Sequence, residues 1–201
     1  DGPLSMSALS GLYKVNRPDL KDSMIKPYIP PAFENGASKF EIIRKQDVLL
    51  HHPYNPYTIV TDFLREAVDD PDVLAIKMCL YRIGPDSPIA PLLIQASEAG
   101  KQVTAVIEIK ARFDEANNIE WAKRMEQAGV HVVYGILGLK THCKATLIVR
   151  NEEDELVRYV HVATGNYNPE TSAFYTDLGL LTCDKEIGED VTELFNYLTA
   201  Y

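Results

Sequence analysis

Apolar and polar positions alternate along the middle of the chain in a way that predicts helices and strands in turn. Apolar residues at helical spacing predict a helix over residues 57–68, and continuous apolar, β-branched runs predict buried strands. Two further helices are expected to end at Gly100 and Gly129, because glycine readily adopts the backbone conformation that closes a helix. The resulting order is helix 57–68, strand 73–81, helix 88–99, strand 103–109, helix 117–129 and strand 131–134.

The last third of the chain shows mainly strand patterns. Strands are predicted over residues 143–150 and 156–163, joined by the acidic turn 151–155, and a strand over 176–183 precedes a helix over 190–201. Where strands alternate with helices, right-handed crossovers place the strands side by side in parallel. The pattern therefore predicts an α/β fold built on a parallel or mostly parallel sheet.

The first part of the chain has a different character. It is rich in Pro, Gly, Ser and Lys, and its prolines interrupt any regular element. We therefore interpret residues 1–46 as an arm or interdomain connector and residues 47–201 as one domain, which suits a length of 201 residues. A chain that begins without Met is expected to be a part of something longer.

Composition and charge narrow the function classes. The chain is 46% hydrophobic and 24% charged, as in an ordinary globular protein, and no stretch is long and apolar enough to span a membrane. Its formal net charge of -9 argues against salt-driven binding to nucleic acid, although a few cations in a cleft can still bind a small anion. The three cysteines do not have the spacing of a metal site, and they fit a protein of the reducing cytoplasm. Whether the full-length protein associates with the inner membrane surface stays open.

The most informative motif is His142-Cys143-Lys144, at the start of an apolar run. Residues two apart on an extended strand face the same side, so His142 and Lys144 should project together and Cys143 should turn away. A neutral imidazole is a nucleophile, and an ammonium can hold the oxygens of the group it attacks. The pair therefore favours attack on phosphorus over metal binding, although a structural histidine is the alternative.

Cationic and amide side chains follow the ends of several predicted strands. Arg82, Arg112, Lys140 and the segment 164–169 each follow a strand, and ligands in open α/β sheets bind beyond the carboxyl ends of strands. Such side chains suit an anion, and Gly165 would let backbone amides approach it. The alternatives are a surface ion pair for each arginine and a simple turn for Asn166 and Asn168.

The spacing of these residues resembles one half of a phospholipase D-type site. That superfamily has a His-x-Lys, matched by His142 and Lys144, and a later Gly-Ser-x-Asn-like turn, matched by Gly165-Asn166-x-Asn168. The acid expected a few residues after the Lys is missing, since Val149 and Arg150 stand there. This departure argues against ordinary phospholipase or nuclease activity.

A closer resemblance covers nearly the whole chain from Arg17 onward. Seven segments are similar to polyphosphate kinases of the large bacterial, phosphohistidine-forming type, in the first of their two C-terminal catalytic domains. These segments are Arg17–Lys21, Asp47–Tyr54, Leu80–Arg82, Lys110–Glu115, Gly138–His142, Thr164–Pro169 and Tyr175–Leu181. The resemblance implies a phospholipase D-like fold with a mixed, mostly parallel sheet and helices on both faces, and reversible transfer of the terminal phosphate of ATP to polyphosphate.

The same resemblance implies roles for individual residues. His142 matches the residue that becomes phosphorylated, with Lys144 and Asn168 as further catalytic residues. Tyr175, Asn166 and Lys140 are expected to bind ATP or the phosphate chain. Arg82 and Arg112 are expected beside the phosphates that carry Mg²⁺, because a guanidinium has no lone pair with which to ligate the metal.

The electrostatics of this arrangement are consistent with a histidine nucleophile. Nearby Lys144, Arg82 and Arg112 should lower the pKa of His142 and keep its ring neutral at working pH. The same cations would spread the negative charge of the transferring phosphoryl group.

Only one His-x-Lys occurs in the chain, whereas sites of this superfamily are built from two halves. We therefore expect the missing second catalytic domain as a partner, a homo-oligomer for the full-length enzyme, and little activity for this part alone. Two other interpretations stay open at this point. They are a phosphodiesterase completed by dimerisation and a non-catalytic domain that binds polyphosphate or nucleotide.

Overall fold

A computed structural model describes residues 6–23, 26–34, 36–109, 115–136, 138–153 and 155–200. Seven strands form a single sheet. The strands are β1 (Val48–His52), β2 (Val73–Leu80), β3 (Gln102–Ile107), β4 (His131–Val133), β5 (Ala145–Glu152), β6 (Glu155–Ala163) and β7 (Asp177–Thr182). The α-helices are α1 (Pro31–Glu34), α2 (Lys39–Lys45), α3 (Thr58–Asp69), α4 (Ile89–Glu98), α5 (Glu115–Gln127), α6 (Pro169–Ser172) and α7 (Lys185–Thr199). Residues Met6–Lys14 and Pro18–Leu20 form 3₁₀ helices.

The sheet is mixed, with the strand order β1-β7-β6-β5-β2-β3-β4. β2, β3 and β4 are parallel, as the alternation with helices predicted, whereas the other four neighbouring pairs are antiparallel. The prediction of a mixed sheet is confirmed, but its description as mostly parallel is wrong. A tight turn at Glu153 joins β5 to β6, and such a short connection permits only antiparallel pairing.

Helices cover both faces of the sheet, as expected. One face packs under α2, α3, α4 and α5, and the other under α7. Successive side chains of β2 point to opposite faces of the sheet, so Met78 belongs to the first core cluster and Cys79 to the second. No helix in the described ranges has the length and apolar character needed to span a bilayer.

Helix α7 begins earlier than the predicted start at residue 190. Asp184 caps it, since its carboxylate accepts a hydrogen bond from the backbone N–H of Ile187 at 3.0 Å. A side-chain acceptor at this position satisfies an N–H group that the helix leaves without a partner. The cap therefore explains why the helix begins at Lys185, more than one helical turn before the start that the apolar spacing predicted.

Helix α2 lies within the segment that we interpreted as an arm. Its Phe40, Ile42 and Ile43 are buried in the first core cluster, where the Phe40 ring packs edge-on against the Tyr159 ring with centroids 4.7 Å apart. The boundary between residues 46 and 47 stays a prediction, but this helix contributes to the core of the sheet domain.

Candidate active site

The predicted cationic and amide residues that the structure describes converge on one edge of the sheet. The parallel strands β2, β3 and β4 end there, and β6, which runs in the same direction, ends there too. β5 runs the opposite way and therefore starts at this edge, directly after Lys144. A hydrogen bond from the backbone N–H of Ala163 to the carbonyl of Lys144, at 2.9 Å, joins the two segments. The fold thus brings the His142 segment beside the 164–169 turn.

His142 and Lys144 project together, as expected. The ring of His142 is exposed, and Lys144, only 6% exposed, lies beneath it. Lys144 Nζ is 3.0 Å from His142 Nδ1 and 2.6 Å from the carbonyl oxygen of His142. An ammonium can only donate, so Nδ1 accepts and the neutral ring carries its proton on Nε2. The lysine therefore binds one ring nitrogen and leaves the other side of the imidazole accessible.

The pKa of His142 is lowered from its ordinary value, first by burial of part of the ring and then by the charges of Lys144, Lys140 and Arg82. Both effects disfavour the imidazolium. The ring is therefore held neutral, the state in which a histidine can act as a nucleophile. The expected effect of Lys144 and Arg82 is confirmed, whereas Arg112 lies outside the described residues.

Tyr81 is the aromatic centre of this group, and we did not single it out from the sequence. Its ring is 7% exposed and meets the His142 ring edge-on, with centroids 5.0 Å apart. Three cations surround the same ring, with Lys144 Nζ at 5.2 Å and both Lys140 Nζ and Arg82 Cζ at 5.5 Å from its centroid. Cations are attracted to the face of an aromatic ring, so Tyr81 reduces the mutual repulsion of these three charges.

Asn118 on α5 holds the backbone on both sides of Arg82. Its side chain is fully buried and donates to the carbonyl of Tyr81 at 2.8 Å, while the N–H of Ile83 donates to its Oδ1 at 3.3 Å. The same amide donates to the carbonyl of Glu108 at 2.9 Å, at the end of β3. Asn118 therefore ties together the carboxyl ends of two strands and positions Arg82.

Asn168, predicted as catalytic, has a well-defined structural position. Its Oδ1 caps α6 by accepting the N–H groups of Glu170 and Thr171, at 3.0 and 3.1 Å. Its Nδ2 donates to the carbonyl of Arg82 at 3.3 Å. Asn168 thus connects the 164–169 turn to the Arg82 loop. Its neighbour Asn166 is half-buried, with an Oδ1 atom that is buried and without a hydrogen-bond partner among the described residues.

Gly165 packs closely against Asp177 of β7, and its expected role in bringing backbone amides to an anion stays a prediction. A Cβ at this position would lie 2.8 Å from the Cβ of Asp177 and closer still to its carboxylate. The space that a side chain at residue 165 would need is therefore filled by Asp177, so this position requires glycine. Asp177 also accepts a hydrogen bond from the Thr164 hydroxyl at 2.8 Å. Burial lowers the pKa of Lys144 from its ordinary value, and the negative charge of Asp177 opposes part of this effect.

Glu108 positions the segment that leads to His142. This carboxylate is 6% exposed and accepts a hydrogen bond from the N–H of Thr141 at 2.8 Å. Because Glu108 follows β3 directly, the bond joins the end of that strand to the residue before His142. The sequence signal for Glu108 is weak, since it is a single acid at the end of an apolar strand.

Tyr175 and Arg112 complete the predicted set. Tyr175 is 49% exposed and packs edge-on against Phe174 at 4.9 Å, so the two rings form an exposed aromatic pair. Arg112, with the rest of segment 110–114, lies outside the described residues. The predicted roles of both residues stay predictions.

Cys143 turns away from His142, as expected. It is half-buried and packs against the second core cluster, near Cys79. A hydrogen bond with Cys79 is the main cause that lowers the pKa of the Cys143 thiol to about 7.

Arg150, which stands where the superfamily pattern suggests an acid, lies at the opposite end of β5. Its guanidinium nitrogens form ion pairs with the carboxylate oxygens of Asp70, Asp72 and Glu152, at nitrogen–oxygen distances of 2.9, 3.3 and 3.0 Å. These ion pairs join the start of β2 to the end of β5. Arg150 therefore has a structural role away from His142.

Comparison with known proteins identifies the family to which this arrangement corresponds. A family model described as "Polyphosphate kinase C-terminal domain 1" matches residues 38–201. The polyphosphate kinase of Mycolicibacterium gilvum is 55% identical over 204 residues, which cover 100% of this chain and 28% of that protein. That of Parasynechococcus marenigrum is 51% identical over 217 residues, covering 100% of this chain and 30% of that protein. The chain thus spans less than a third of the length of these relatives.

Solved structures agree with this result. The crystal structure of polyphosphate kinase from Porphyromonas gingivalis matches with a TM-score of 0.80 and 36% identity, covering 91% of this chain and 31% of that one. A phospholipase D family member, Nuc from Salmonella typhimurium, matches with a TM-score of 0.58 and 14% identity over 76% of this chain and 93% of that one. This second similarity concerns the fold alone, and it confirms the predicted phospholipase D-like architecture.

Proposed function

Because the chain belongs to the family of the first C-terminal domain of polyphosphate kinases, we propose that it is the part of such an enzyme that carries the phosphorylated histidine. The enzyme would reversibly transfer the terminal phosphate of ATP to polyphosphate, with His142 as the nucleophile. The observation that carries the proposal is the neutral, exposed ring of His142 beside Lys144, Lys140 and Arg82. A nucleophile surrounded by cations suits attack on a phosphoryl group.

The contact between Lys144 and His142 suggests how the nucleophile becomes active. While Lys144 donates to Nδ1, the neutral ring carries its proton on Nε2, which then has no lone pair for attack. Phosphate oxygens would attract the ammonium away from Nδ1. The ring proton then moves to Nδ1 by exchange with solvent, and Nε2 acquires a lone pair. Substrate binding and activation of the nucleophile are thereby linked through one lysine.

The transfer proceeds in two balanced steps. In the first, the lone pair of Nε2 forms a bond to the terminal phosphorus of ATP, the bond from that phosphorus to the bridging oxygen breaks, and ADP leaves with the electron pair. In the second, a terminal oxygen of polyphosphate attacks the phosphorus and the imidazole leaves as a neutral ring that retains its Nδ1 proton. In both steps the phosphorus bond that forms and the one that breaks are similar in reactivity, so the two-step reaction runs in either direction.

Lys144, Lys140 and Arg82 would stabilise charge during both steps. Their cationic groups lie around the Tyr81 ring, next to the nucleophile. Cations held in position before the reaction stabilise the developing negative charge without reorganisation. We propose that Arg112 belongs to the same group and that Asn166 and Tyr175 contact substrate, Tyr175 by stacking on the nucleotide base.

Magnesium fits this site as a companion of ATP. Among the described residues, no group of three or more His, Cys, Asp or Glu side chains is placed to hold a metal ion. The lysines and Arg82 have only donors, and therefore suit the phosphates rather than the ion. When bound with ATP, Mg²⁺ would neutralise phosphate charge, and no step here depends on a protein ligand to it.

We propose further that the site is one half of a larger one. The chain supplies one His-x-Lys, and the acid and base of the other half would come from the second catalytic domain. The 201-residue chain should therefore synthesise little or no polyphosphate from ATP. Robust synthesis by this chain alone would contradict the half-site, while leaving the role of His142 intact. Assembly of the full-length enzyme into a homo-oligomer stays part of the proposal.

The experiment uses the full-length enzyme and ATP radiolabelled on its terminal phosphate. We expect label on the protein that is lost in acid and retained in base, as for a phosphorus–nitrogen bond, and no label in His142→Ala. Lys144→Ala should slow labelling by about 10²-fold, the usual cost of one preorganised charge. His51→Ala is the matched control, because His51 is also exposed at the same edge. Full labelling of His142→Ala, or hydrolysis of a phosphodiester without ATP-dependent labelling, would overturn the proposal.

A further inference from the structure

A small cavity lies beside the 164–169 turn. Its volume is about 10 Å³. Its walls come from the end of β1, the residue before α3, the end of β6, the turn itself, the end of α6 and the start of β7, where Asp177 lies. This volume corresponds to a single water-sized sphere. The cavity is therefore large enough for one water molecule and too small for an organic ligand.

Four buried polar atoms without hydrogen-bond partners belong to residues that line this cavity. They are His52 Nε2, Tyr57 Oη, His161 Nε2 and Asn166 Oδ1. In the described part of the chain, only Arg82 Nε shares this property elsewhere. Both histidines are almost fully buried, His52 at 4% and His161 at 2% exposure. Buried polar groups in native proteins have partners as a rule, so four such atoms around one cavity indicate a common ligand.

The hydrogen bonds around the cavity assign its donors and acceptors. His52 Nδ1 lies 2.9 Å from the carbonyl oxygen of Asn55, which can only accept, so Nδ1 carries the proton and Nε2 is an acceptor. Asn166 Oδ1 is an acceptor by its chemistry. The cavity therefore presents two acceptors from these two residues.

His161 and Tyr57 supply the donors. His161 Nδ1 lies 2.9 Å from the hydroxyl of Tyr167, to which the hydroxyl of Thr146 donates at 2.8 Å. The Tyr167 hydroxyl has two acceptors within reach, His161 Nδ1 at 2.9 Å and the carbonyl oxygen of His161 at 3.2 Å. We assign its proton to the shorter contact, which leaves the proton of the neutral His161 ring on Nε2. Burial lowers the pKa of His161 to about 3, in agreement with a neutral ring. The hydroxyl of Tyr57 can donate to the cavity as well.

Gly179 of β7 keeps the space beside His161 open. A Cβ at this position would lie 2.6 Å from His161 Nε2, which is too close for any side chain. The glycine thus preserves room at one of the four orphaned atoms.

We propose that one water molecule occupies this cavity, donating to His52 Nε2 and Asn166 Oδ1 and accepting from Tyr57 Oη and His161 Nε2. Two donors and two acceptors match the bonding capacity of water. An ammonium ion, which only donates, does not match. The water fastens the turn that carries Asn166 and Asn168 to β1, α3 and β6, and so positions it relative to Arg82.

The experiment looks for the water directly in the 201-residue chain. A high-resolution crystal structure of the wild type should show one solvent peak within hydrogen-bond distance of the four atoms. Magnetic relaxation dispersion of water oxygen-17 should detect one long-lived water that disappears in Tyr57→Phe, which removes one donor with little change in volume. Tyr54→Phe is the matched control, because Tyr54 is 48% exposed and lies outside the cavity.

Hydrogen exchange tests the effect on the turn. The backbone amides of Asn168 and its neighbours should exchange about 10-fold faster in Tyr57→Phe than in Tyr54→Phe, as expected when a local opening becomes easier. Two results would overturn the proposal. One is a wild-type cavity without a solvent peak or long-lived water, and the other is an anomalous thallium peak in crystals soaked with Tl⁺, which would identify a monovalent cation site.

Discussion

Lys144 Nζ lies 3.0 Å from His142 Nδ1, and both side chains pack against the Tyr81 ring. The nucleophile proposed here is thus in direct contact with the nearest of the cations that lower its pKa. Because the interaction is electrostatic and the ring is exposed, the protonation state of His142 should respond to each neighbouring charge separately.

Removal of an exposed neighbouring charge tests this relationship. We expect Lys140→Ala to raise the pKa of His142 towards its ordinary value, since a positive charge that disfavours the imidazolium is lost. At a pH near that pKa, more of the ring is then protonated and less of it can act as a nucleophile. Nuclear magnetic resonance titration of the His142 ring protons measures the shift. Lys123→Ala, an exposed lysine on α5, is the control, and an unchanged pKa in Lys140→Ala would contradict the expectation.

Stability should depend on pH through His161. Burial lowers the pKa of His161 to about 3 in the folded chain, whereas the unfolded chain takes up the proton near its ordinary value of 6.5. The folded state therefore loses stability as the pH falls below 6.5, by about 1.4 kcal/mol per pH unit until the pH reaches the folded value. Above pH 6.5 this contribution is complete and constant.

Denaturant unfolding at pH 7.0 and 5.5 measures the effect. The loss of unfolding free energy between these two conditions should be about 1 kcal/mol smaller in His161→Gln than in wild type, and unchanged in His131→Gln, which alters an exposed histidine. Titration of the wild-type ring by nuclear magnetic resonance gives a second measurement that does not depend on a variant. A His161 ring that protonates near pH 6 would show the prediction to be wrong.

Asn118 should be essential for the stability of the Arg82 loop. Its replacement by Ala leaves the carbonyls of Tyr81 and Glu108 and the N–H of Ile83 without their buried partner. We expect a loss of about 3 kcal/mol in unfolding free energy, because unsatisfied buried groups retain their full desolvation cost. Glu120→Ala, an exposed change on the same helix, should change stability by less than about 0.5 kcal/mol. Equal effects of the two substitutions in chemical denaturation would refute this assignment.

Gly165 and Asp177 should be coupled. Gly165→Ala places a methyl group against the Asp177 side chain, and we expect a cost of about 2 kcal/mol from overpacking. In an Asp177→Gly background the opposing atoms are absent, so the same substitution should cost about 1 kcal/mol less. A double-mutant cycle in urea gives the coupling energy. Gly11→Ala, with open space around it, is the control, and additive effects of the pair would mean that the steric contact is unimportant.

The elements from residue 57 to residue 134 could be predicted closely from the sequence. A helix or strand that is buried on one face or on both has apolar residues at a regular spacing, and this spacing can be read within a short segment. The convergence of Arg82, Lys140, His142 and the 164–169 turn was predictable for the same reason, because strand ends of equal direction meet at one edge. The motif His142-x-Lys144 also implied the contact between its two side chains.

Other features required the folded chain. The antiparallel half of the sheet depends on which strands pair, and pairing follows from a turn at Glu153 and from packing across the sheet rather than from any strand's own pattern. Asn118 binds residues about 35 positions away, and Asp177 fills the space beside Gly165 from the next strand. Hydrogen bonds and steric contacts between such distant, chemically ordinary residues leave no periodic signal. The chain's local pattern thus determined its elements and the edge at which its chemistry gathers, while tertiary packing decided how those residues are held.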